Sequence, residues 1–307
     1  MASQMKDGWI WMDGEFRRGE AATVHVGTHT LHYGLGCFEG IRSYAGPDGV
    51  HVFQLDAHIE RLAESARLLG LELPYSQDTL AAACIETVRR NGLTDGYLRP
   101  LVFLGDERLG IDPEGLSVHV AIMAWSWGRY LGPEALDKGV RARISSWQRH
   151  HPNVMPTRAK SIASYTNSIL ASREARAEGY DEAILLDTEG FVAEGPGENI
   201  FVVRKGRLIE PDLVVALDGI TRRTVHALAR TLGLELESAR LTRDALYLAD
   251  EVFFSGTAAE ITPVVEIDRK RVGDGRPGPV TRALQEAFFA AVRGQSSAHR
   301  EWLSAVA

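Results

Sequence analysis

Apolar positions along the chain alternate between a period of two and a period near 3.6, and each change of period marks an element. Trp9–Met12 and Glu15–Arg17 flank Asp13-Gly14, a dipeptide that favours the tight turn of a hairpin. Val50–Gln54 predicts a strand. Asp56 is the expected N-cap of the helix that follows, where Ile59, Leu62, Ala66 and Leu69 recur at helical spacing until Gly70. Thr79–Asn91 predicts a second amphipathic helix, ended by Gly92. Tyr97–Leu104 and Val118–Trp125 are apolar, β-rich runs. Pro100 has no N–H to give, which predicts an edge or bulged position for the first of them.

Gly128–Ala135 (GRYLGPEA) interrupts this patterning with two glycines and a proline. It predicts a division into an N-terminal α/β domain over 1–128, a linker over 129–135 and a C-terminal α/β domain over 136–307. In the second half Arg141–Ser146, Glu182–Asp187, Asn199–Arg204 and Glu251–Ser255 predict strands. Tyr165–Glu178, Ile220–Leu232 and Val280–Val292 predict helices. Neither half keeps the regular β-α-β rhythm of a doubly wound sheet, so the expected class is two-domain α+β. Clefts between such domains favour small-molecule sites.

Composition narrows the partners. The chain has 307 residues, enough for two domains of ~150 residues each. Its net charge of −7 and isoelectric point near 5.8 provide no basic field, so nucleic acid is not an expected partner. A hydrophobic share of 45% with 24% charged residues excludes a disordered chain. The two cysteines, Cys37 and Cys84, form no C-x-x-C pair and fit a reducing cytoplasm. No apolar run approaches the ~20 residues a membrane helix needs; the longest lies around Leu213–Leu217 and is strand-sized. The first thirty residues show no apolar region of a signal peptide.

Several familiar chemistries are missing from the motifs. There is no P-loop, no H-E-x-x-H and no G-x-S-x-G. Gly34-Leu-Gly36 and Gly195-Pro-Gly197 lack the third glycine of a dinucleotide site. His25, His29 and His32 have no Cys or carboxylate ligand partner near them, so they are read as structural or surface histidines and no metal is expected.

Three segments remain. Pro156-Thr-Arg-Ala-Lys160-Ser-Ile-Ala-Ser-Tyr165 places a lysine and a tyrosine among small residues. That lysine is either an exposed helix-start residue or an amine shielded for Schiff-base chemistry. Ala193-Glu194-Gly-Pro-Gly197-Glu198-Asn199 carries an acid on a tight bend. The glutamate is either solvated on a hairpin or held against a ring nitrogen, as a pyridinium requires. Asp218-Gly-Ile-Thr221 opens a helix and Ser255-Gly-Thr257-Ala-Ala-Glu260 closes a strand. Ordinary capping competes there with a phosphate cradle built on helix N–H groups and hydroxyls.

Taken together these segments resemble the class IV pyridoxal-phosphate aminotransferases, and among them the branched-chain amino acid aminotransferases. The resemblance runs from about Trp9 to Trp302, through HYGLGCFEGIR (His32–Arg42), YLRPL (Tyr97–Leu101), the Lys160 segment, AEGPGENIF (Ala193–Phe201), GITR (Gly219–Arg222) and YLADEVFFSGTAAEITPV (Tyr247–Val264). It implies a two-domain fold-type IV enzyme with pyridoxal 5′-phosphate at the domain interface. It implies reversible, ping-pong amino transfer between L-leucine, L-isoleucine or L-valine and 2-oxoglutarate, with a pyridoxamine 5′-phosphate form between the halves. It makes Lys160 the catalytic Schiff-base lysine and sets Glu194 on the pyridine nitrogen and Tyr165 near the phenolate oxygen. Arg61, Gly219, Ile220, Thr221 and Thr257 would hold the phosphate, with Leu217 and Gly197 against the ring. Arg99, with the hydroxyls of Tyr33 and Tyr130, would clamp the distal carboxylate of glutamate. Phe38, Trp127, Tyr165 and Ala259 would line the apolar walls; Tyr97, Thr257 and Ala258 would take the α-carboxylate. Leu109 and Ile111 match a loop that reaches a neighbouring subunit, which implies at least a homodimer and leaves a homohexamer open. Two departures stand out: Ile111 where valine is frequent, and Asp218 where proline is common, a negative charge beside the phosphate cradle. A D-amino acid or (R)-amine transaminase and an aminodeoxychorismate lyase remain alternatives on the same scaffold.

Overall fold

Residues 2–128, 130–132 and 134–306 are described by a computed structural model. Arg129 and Pro133 of the expected linker lie outside the described residues. By contacts the chain divides into two units, each discontinuous in sequence. The first comprises Met1–Trp127, Ala159–Ala163 and Ala290–Ala307; the second comprises Gly128–Arg158 and Ser164–Phe289.

The first unit is built on an antiparallel sheet in the order Leu303–Val306, Gly49–Phe53, Ile41–Gly46, Gly96–Leu104, Val118–Ser126, Trp9–Met12, Glu15–Arg18. Gly36–Phe38 is an additional neighbour of Gly96–Leu104. The predicted hairpin is present, with Asp13 and Gly14 both at positive φ. Helices Leu55–Leu68 and Gln77–Arg90 bury Ile59, Leu62, Ala66, Leu80, Cys84 and Val88 in one core with Leu98, Val102 and Ile122 of the sheet. Burial of ~25 cal/mol per Å² of apolar surface makes that face the main stabilising element of the unit.

Two local expectations are corrected. The N-cap of Leu55–Leu68 is Gln54, in the left-handed region at φ 54°, and Asp56 lies within the first turn. Asp56 there still favours the helix, as a negative charge at its positive end. Pro100 is in neither an edge nor a bulged strand. Gly96–Leu104 is central, pairing in unbroken register with Val118–Ser126. The carbonyl of Pro100 accepts from Glu39 N at 2.9 Å. Its nitrogen therefore faces the same flank, where the ladder lapses at Glu39-Gly40 between two short strands. A missing donor costs nothing at a gap in the ladder.

The second unit holds a mixed sheet in the order Val192–Glu194, Glu182–Leu186, Val140–Gln148, Glu260–Ile267, Glu251–Gly256, Asn199–Arg204, Arg207–Pro211, Leu236–Ala239. Val140–Gln148 and Glu182–Leu186 run parallel, and the helix Tyr165–Ala177 is their crossover. Arg207–Pro211 and Leu236–Ala239 are also parallel, joined through the helix Ile220–Thr231. Parallel neighbours require such crossovers, whereas hairpins suffice for antiparallel ones. Successive residues of Glu182–Leu186 serve opposite faces: Ile184 enters the core with Ile144, Val202 and Phe254, while Ala183 and Leu185 meet Ala171 and Ala175 of the helix.

A linear division puts Lys160 with the C-terminal half. The contacts put it in the first unit. Phe38 N donates to Lys160 O at 3.2 Å, Ile162 N to Gly36 O at 3.0 Å, and Lys160 N to Ser65 Oγ at 3.0 Å. Cys37 and Ser161 form a bridge of their own. Those bonds make Ala159–Ala163 a short extension of the first sheet, a pairing that no local sequence signal specifies.

Candidate active site

In the first unit a cation and an amine share one aromatic ring. The Arg99 guanidinium carbon is 4.4 Å from the centroid of Phe38, and Lys160 Nζ is 5.4 Å from the same centroid. Tyr97 and Arg99, two apart in a strand, face the same side as the sequence predicts, and Arg99 Nη2 donates to the Tyr97 hydroxyl at 3.4 Å. The Tyr97 ring meets Trp127 edge-on at 4.5 Å and Trp125 at 5.2 Å. Trp125 escaped the sequence reading, although it stands in register opposite Tyr97 and two residues from Trp127. Arg99 Nε and Trp125 Nε1 are buried without a hydrogen-bond partner. Buried donors left in that state are characteristic of sites that complete their bonding with a ligand.

A Cβ at Gly40 would lie 1.9 Å from the Tyr97 hydroxyl oxygen, so this glycine is what admits the ring. Arg61 is fully enclosed and engaged by Glu39, Nε to Oε1 at 2.6 Å and Nη2 to Oε2 at 2.9 Å. Tyr33, Leu109 and Ile111 of the same unit stand exposed, at 46%, 54% and 90%. His29 Nε2 bonds the Gly110 carbonyl at 2.8 Å, His32 Nε2 bonds the Val26 carbonyl at 2.9 Å, and His25 pairs with Asp106. Among the described residues no group of His, Cys, Asp or Glu is arranged to hold a metal ion.

In the second unit Glu194 is buried and tied on both oxygens. Oε1 lies 2.9 Å from Arg149 Nε, while Oε2 accepts from Leu217 N at 3.2 Å and from Asn199 Nδ2 at 3.4 Å. Arg149 spends its remaining donors on Asn167 Oδ1, Ser168 Oγ and the carbonyls of Gly195 and Pro196. It thereby locks the Glu194–Gly197 bend from inside. Neither Arg149 nor Asn199 was singled out in the sequence. Gln148-Arg149-His150-His151 has the look of a polar loop, and only long-range placement reveals the role. Asn199 Nδ2 also donates to Leu217 O at 2.8 Å, and a Cβ at Gly219 would meet Asn199 Oδ1 at 2.0 Å. One asparagine thus joins the Glu194 bend to the approach of the helix Ile220–Thr231.

That helix has Gly219 as its N-cap with no side-chain capping bond, and Ile220 and Thr221 are buried in its first turn. Asp218 does not cap it. Its carboxylate meets Arg223 at 2.9 Å, Arg222 at 3.1 Å and Arg158 at 3.7 Å. Burial raises its pKa, but the three guanidinium groups outweigh that and hold it below the usual carboxylate range. The charge that departs from the family's pattern is therefore compensated on the spot.

Thr257, Ala258 and Ala259 form the tight turn between Glu251–Gly256 and Glu260–Ile267, with Glu260 at φ 57° and Thr262 Oγ1 donating to Ala259 O at 2.6 Å. Tyr165 opens the helix Tyr165–Ala177. Gly197 N donates to Glu198 Oε2 at 3.1 Å. Burial, reinforced by Glu182 and Glu194, pushes the Glu198 carboxyl up to about 8. Burial also raises Glu182 and the Tyr130 phenol, the latter with help from Glu198 and Glu182. The unit thus keeps an acid-rich interior beside a glutamate that is ion-paired with Arg149.

Comparison with known proteins matches residues 36–267 to the model of the amino-transferase class IV family. The chain belongs to the class IV aminotransferases. It is 50% identical over 306 residues to a branched-chain-amino-acid aminotransferase of Pseudomonas aeruginosa, covering 100% of both chains. It superposes on the crystal structure of the Escherichia coli branched-chain amino acid aminotransferase with a TM-score of 0.96 at 47% identity, covering 98% of this chain and 100% of that one. It also superposes on the branched-chain amino acid aminotransferase of Thermobaculum terrenum, solved in its PLP-form, with a TM-score of 0.92 at 38% identity over 99% of each chain. Among the described residues no helix is long and apolar enough to cross a membrane.

Proposed function

We propose that the chain is a branched-chain amino acid transaminase, exchanging amino groups between L-leucine, L-isoleucine or L-valine and 2-oxoglutarate by a ping-pong route on pyridoxal 5′-phosphate. The observation that carries this reading is the Phe38–Arg99–Tyr97 wall beside the Lys160 amine. The substrate pair poses a physical conflict: one pocket must accept an isobutyl group and a carboxylate. Desolvating a bare carboxylate in an apolar pocket costs several kcal/mol. An arginine laid on an aromatic face answers both demands. Its flat side extends the apolar wall, and its edge donors, Nε included, can meet a carboxylate.

The residues present fit the cofactor. Glu194 is an ionised acid with fixed orientation, and the bare N-terminus of Ile220–Thr231, with the Thr221 hydroxyl, suits a phosphate. Arg61, Gly219, Thr221 and Thr257 would hold the phosphate, Glu194 the ring nitrogen, and Leu217 and Gly197 the ring faces. When bound, pyridoxal phosphate withdraws the electrons of the substrate Cα–H bond and carries the amino group from donor to acceptor. Lys160 Nζ would take the Cα proton and deliver it, within the same half-reaction, to the cofactor carbon that bears the transferred nitrogen, and would run the same shift in reverse with the 2-oxo acid. Arg149 keeps Glu194 charged and aimed. Tyr97 and the Thr257-Ala258 turn orient the α-carboxylate, while Trp127 and Phe38 exclude water. The exposed Leu109 and Ile111 support a homodimer, and two free, buried cysteines support a cytoplasmic setting.

The visible spectrum tests this directly. The purified protein should be yellow and should bleach to the pyridoxamine form on L-leucine alone. Bleaching by D-alanine but not L-leucine would move the function to a D-specific relative. A protein that stays colourless with added pyridoxal phosphate would remove the cofactor assignment.

A further inference from the structure

Glu39 is wholly buried, and both of its carboxylate oxygens are committed to Arg61. We propose that Glu39 is a positioning residue for the cofactor phosphate, acting through Arg61, with His58 holding it in place. The proposal rests on the reading above that Arg61 takes that phosphate.

Arg61 and His58 are three residues apart on the helix Leu55–Leu68, so both side chains leave the same face. Glu39 comes from the gap between Gly36–Phe38 and Ile41–Gly46, fixed there by its own N–H on Pro100 O at 2.9 Å. Its two oxygens grip the Nε–Nη2 edge of the guanidinium at 2.6 and 2.9 Å. The second oxygen also accepts from His58 Nδ1 at 2.7 Å and from Gly40 N at 3.3 Å. Burial lowers the His58 pKa and outweighs the opposing pull of Glu39, and the Arg61 and Lys160 charges add to the lowering. The imidazole therefore serves Glu39 as a neutral donor.

A two-point grip fixes the plane of the guanidinium and its rotation, and so aims the Nη1 side in one direction. A lone salt bridge at this depth would be a poor source of stability, because apolar residues of similar volume do as well. What the carboxylate supplies that an apolar neighbour cannot is direction. Glu39 also adjoins Phe38, whose N–H bonds the Lys160 carbonyl. One short segment therefore sets both the lysine backbone and the arginine fork.

The test separates phosphate recognition from folding. Holoenzyme of wild type, Glu39→Gln and Glu39→Asp is diluted to release cofactor. Each is then reloaded with pyridoxal 5′-phosphate or with pyridoxal, which lacks the phosphate, and visible absorbance is followed. Glu39→Gln should weaken the phosphorylated ligand roughly tenfold or more and pyridoxal less than about twofold. In an Arg61→Ala background the same change should add less than about twofold. Equal weakening of both ligands, or unchanged binding of the phosphorylated one, overturns the proposal. If Glu39→Gln does not fold, Glu39→Asp, which keeps the charge and shortens the reach, carries the same comparison. Loss of phosphate discrimination by Arg61→Ala is the separate check on the reading beneath it.

Discussion

The neighbourhoods of Lys160 and of Glu194 belong to different units and are built on opposite principles. Beside the Lys160 amine the side chains of Phe38, Arg99, Tyr97, Trp125 and Trp127 meet through aromatic faces and edges, at centroid distances from 4.4 to 5.7 Å, while directed bonds to Phe38 and Ser65 hold only the lysine backbone. Such aromatic contacts are individually weak and tolerate adjustment. Around Glu194 the polar atoms are held by directed bonds and a close ion pair, and Arg149 alone makes contacts to Glu194, Asn167, Ser168, Gly195 and Pro196. The difference matches the proposed roles: a wall for substrates that vary in size and charge would have to adapt, whereas an acid meant to meet an unvarying cofactor ring would gain from rigidity.

The contrast can be broken at either end. On the proposed role of Lys160 in proton transfer, Lys160→Ala should lower turnover by at least ~10⁴-fold; a stopped-flow half-reaction with L-leucine measures it. Arg149→Met should cost ~3–5 kcal/mol of stability by stranding a buried carboxylate, read as a lowered denaturation midpoint. Conversely, Trp127→Phe in the aromatic wall should cost under ~1.5 kcal/mol in the same assay. Arg99→Leu should lower kcat/KM for 2-oxoglutarate roughly 10- to 100-fold and leave the L-leucine half-reaction within about threefold.

A pH effect comes from Glu198, whose folded pKa is raised to about 8. The folded state then binds a proton that the unfolded state releases near ~4.3. Its contribution to stability is fully present below that lower value and is lost as pH rises through about 8. Thermal midpoints of Glu198→Gln should therefore fall less than those of wild type between pH 5 and pH 9. The smallest effect belongs to Asp218→Asn. With its charge already answered by three arginines, pyridoxal phosphate affinity should change less than about threefold.

Much of this was legible in the sequence wherever a local pattern carried it. The hairpin at Asp13-Gly14, the amphipathic helices and the shared face of Tyr97 and Arg99 all follow from period alone. Pro100 misled because proline's penalty depends on whether a neighbour waits for its N–H, and the lapse at Glu39-Gly40 lies far upstream in the chain. Arg149 and Asn199 were silent for the same reason: a buried arginine inside a polar stretch is identified only by what it reaches. The capping residue Gln54 carries no propensity signal, being held in the left-handed region by Gln54 N on the Trp302 carbonyl, far along the chain.

The closeness of Gly40 to the Tyr97 hydroxyl couples variation at the two positions. Any side chain at 40 evicts the tyrosine ring, while a smaller residue at 97 removes the need for glycine. A relative with a side chain at 40 should therefore also carry a smaller residue at 97, whereas 97 can change alone, and a library randomised at 97 alone would miss every pocket shaped by a side chain at 40.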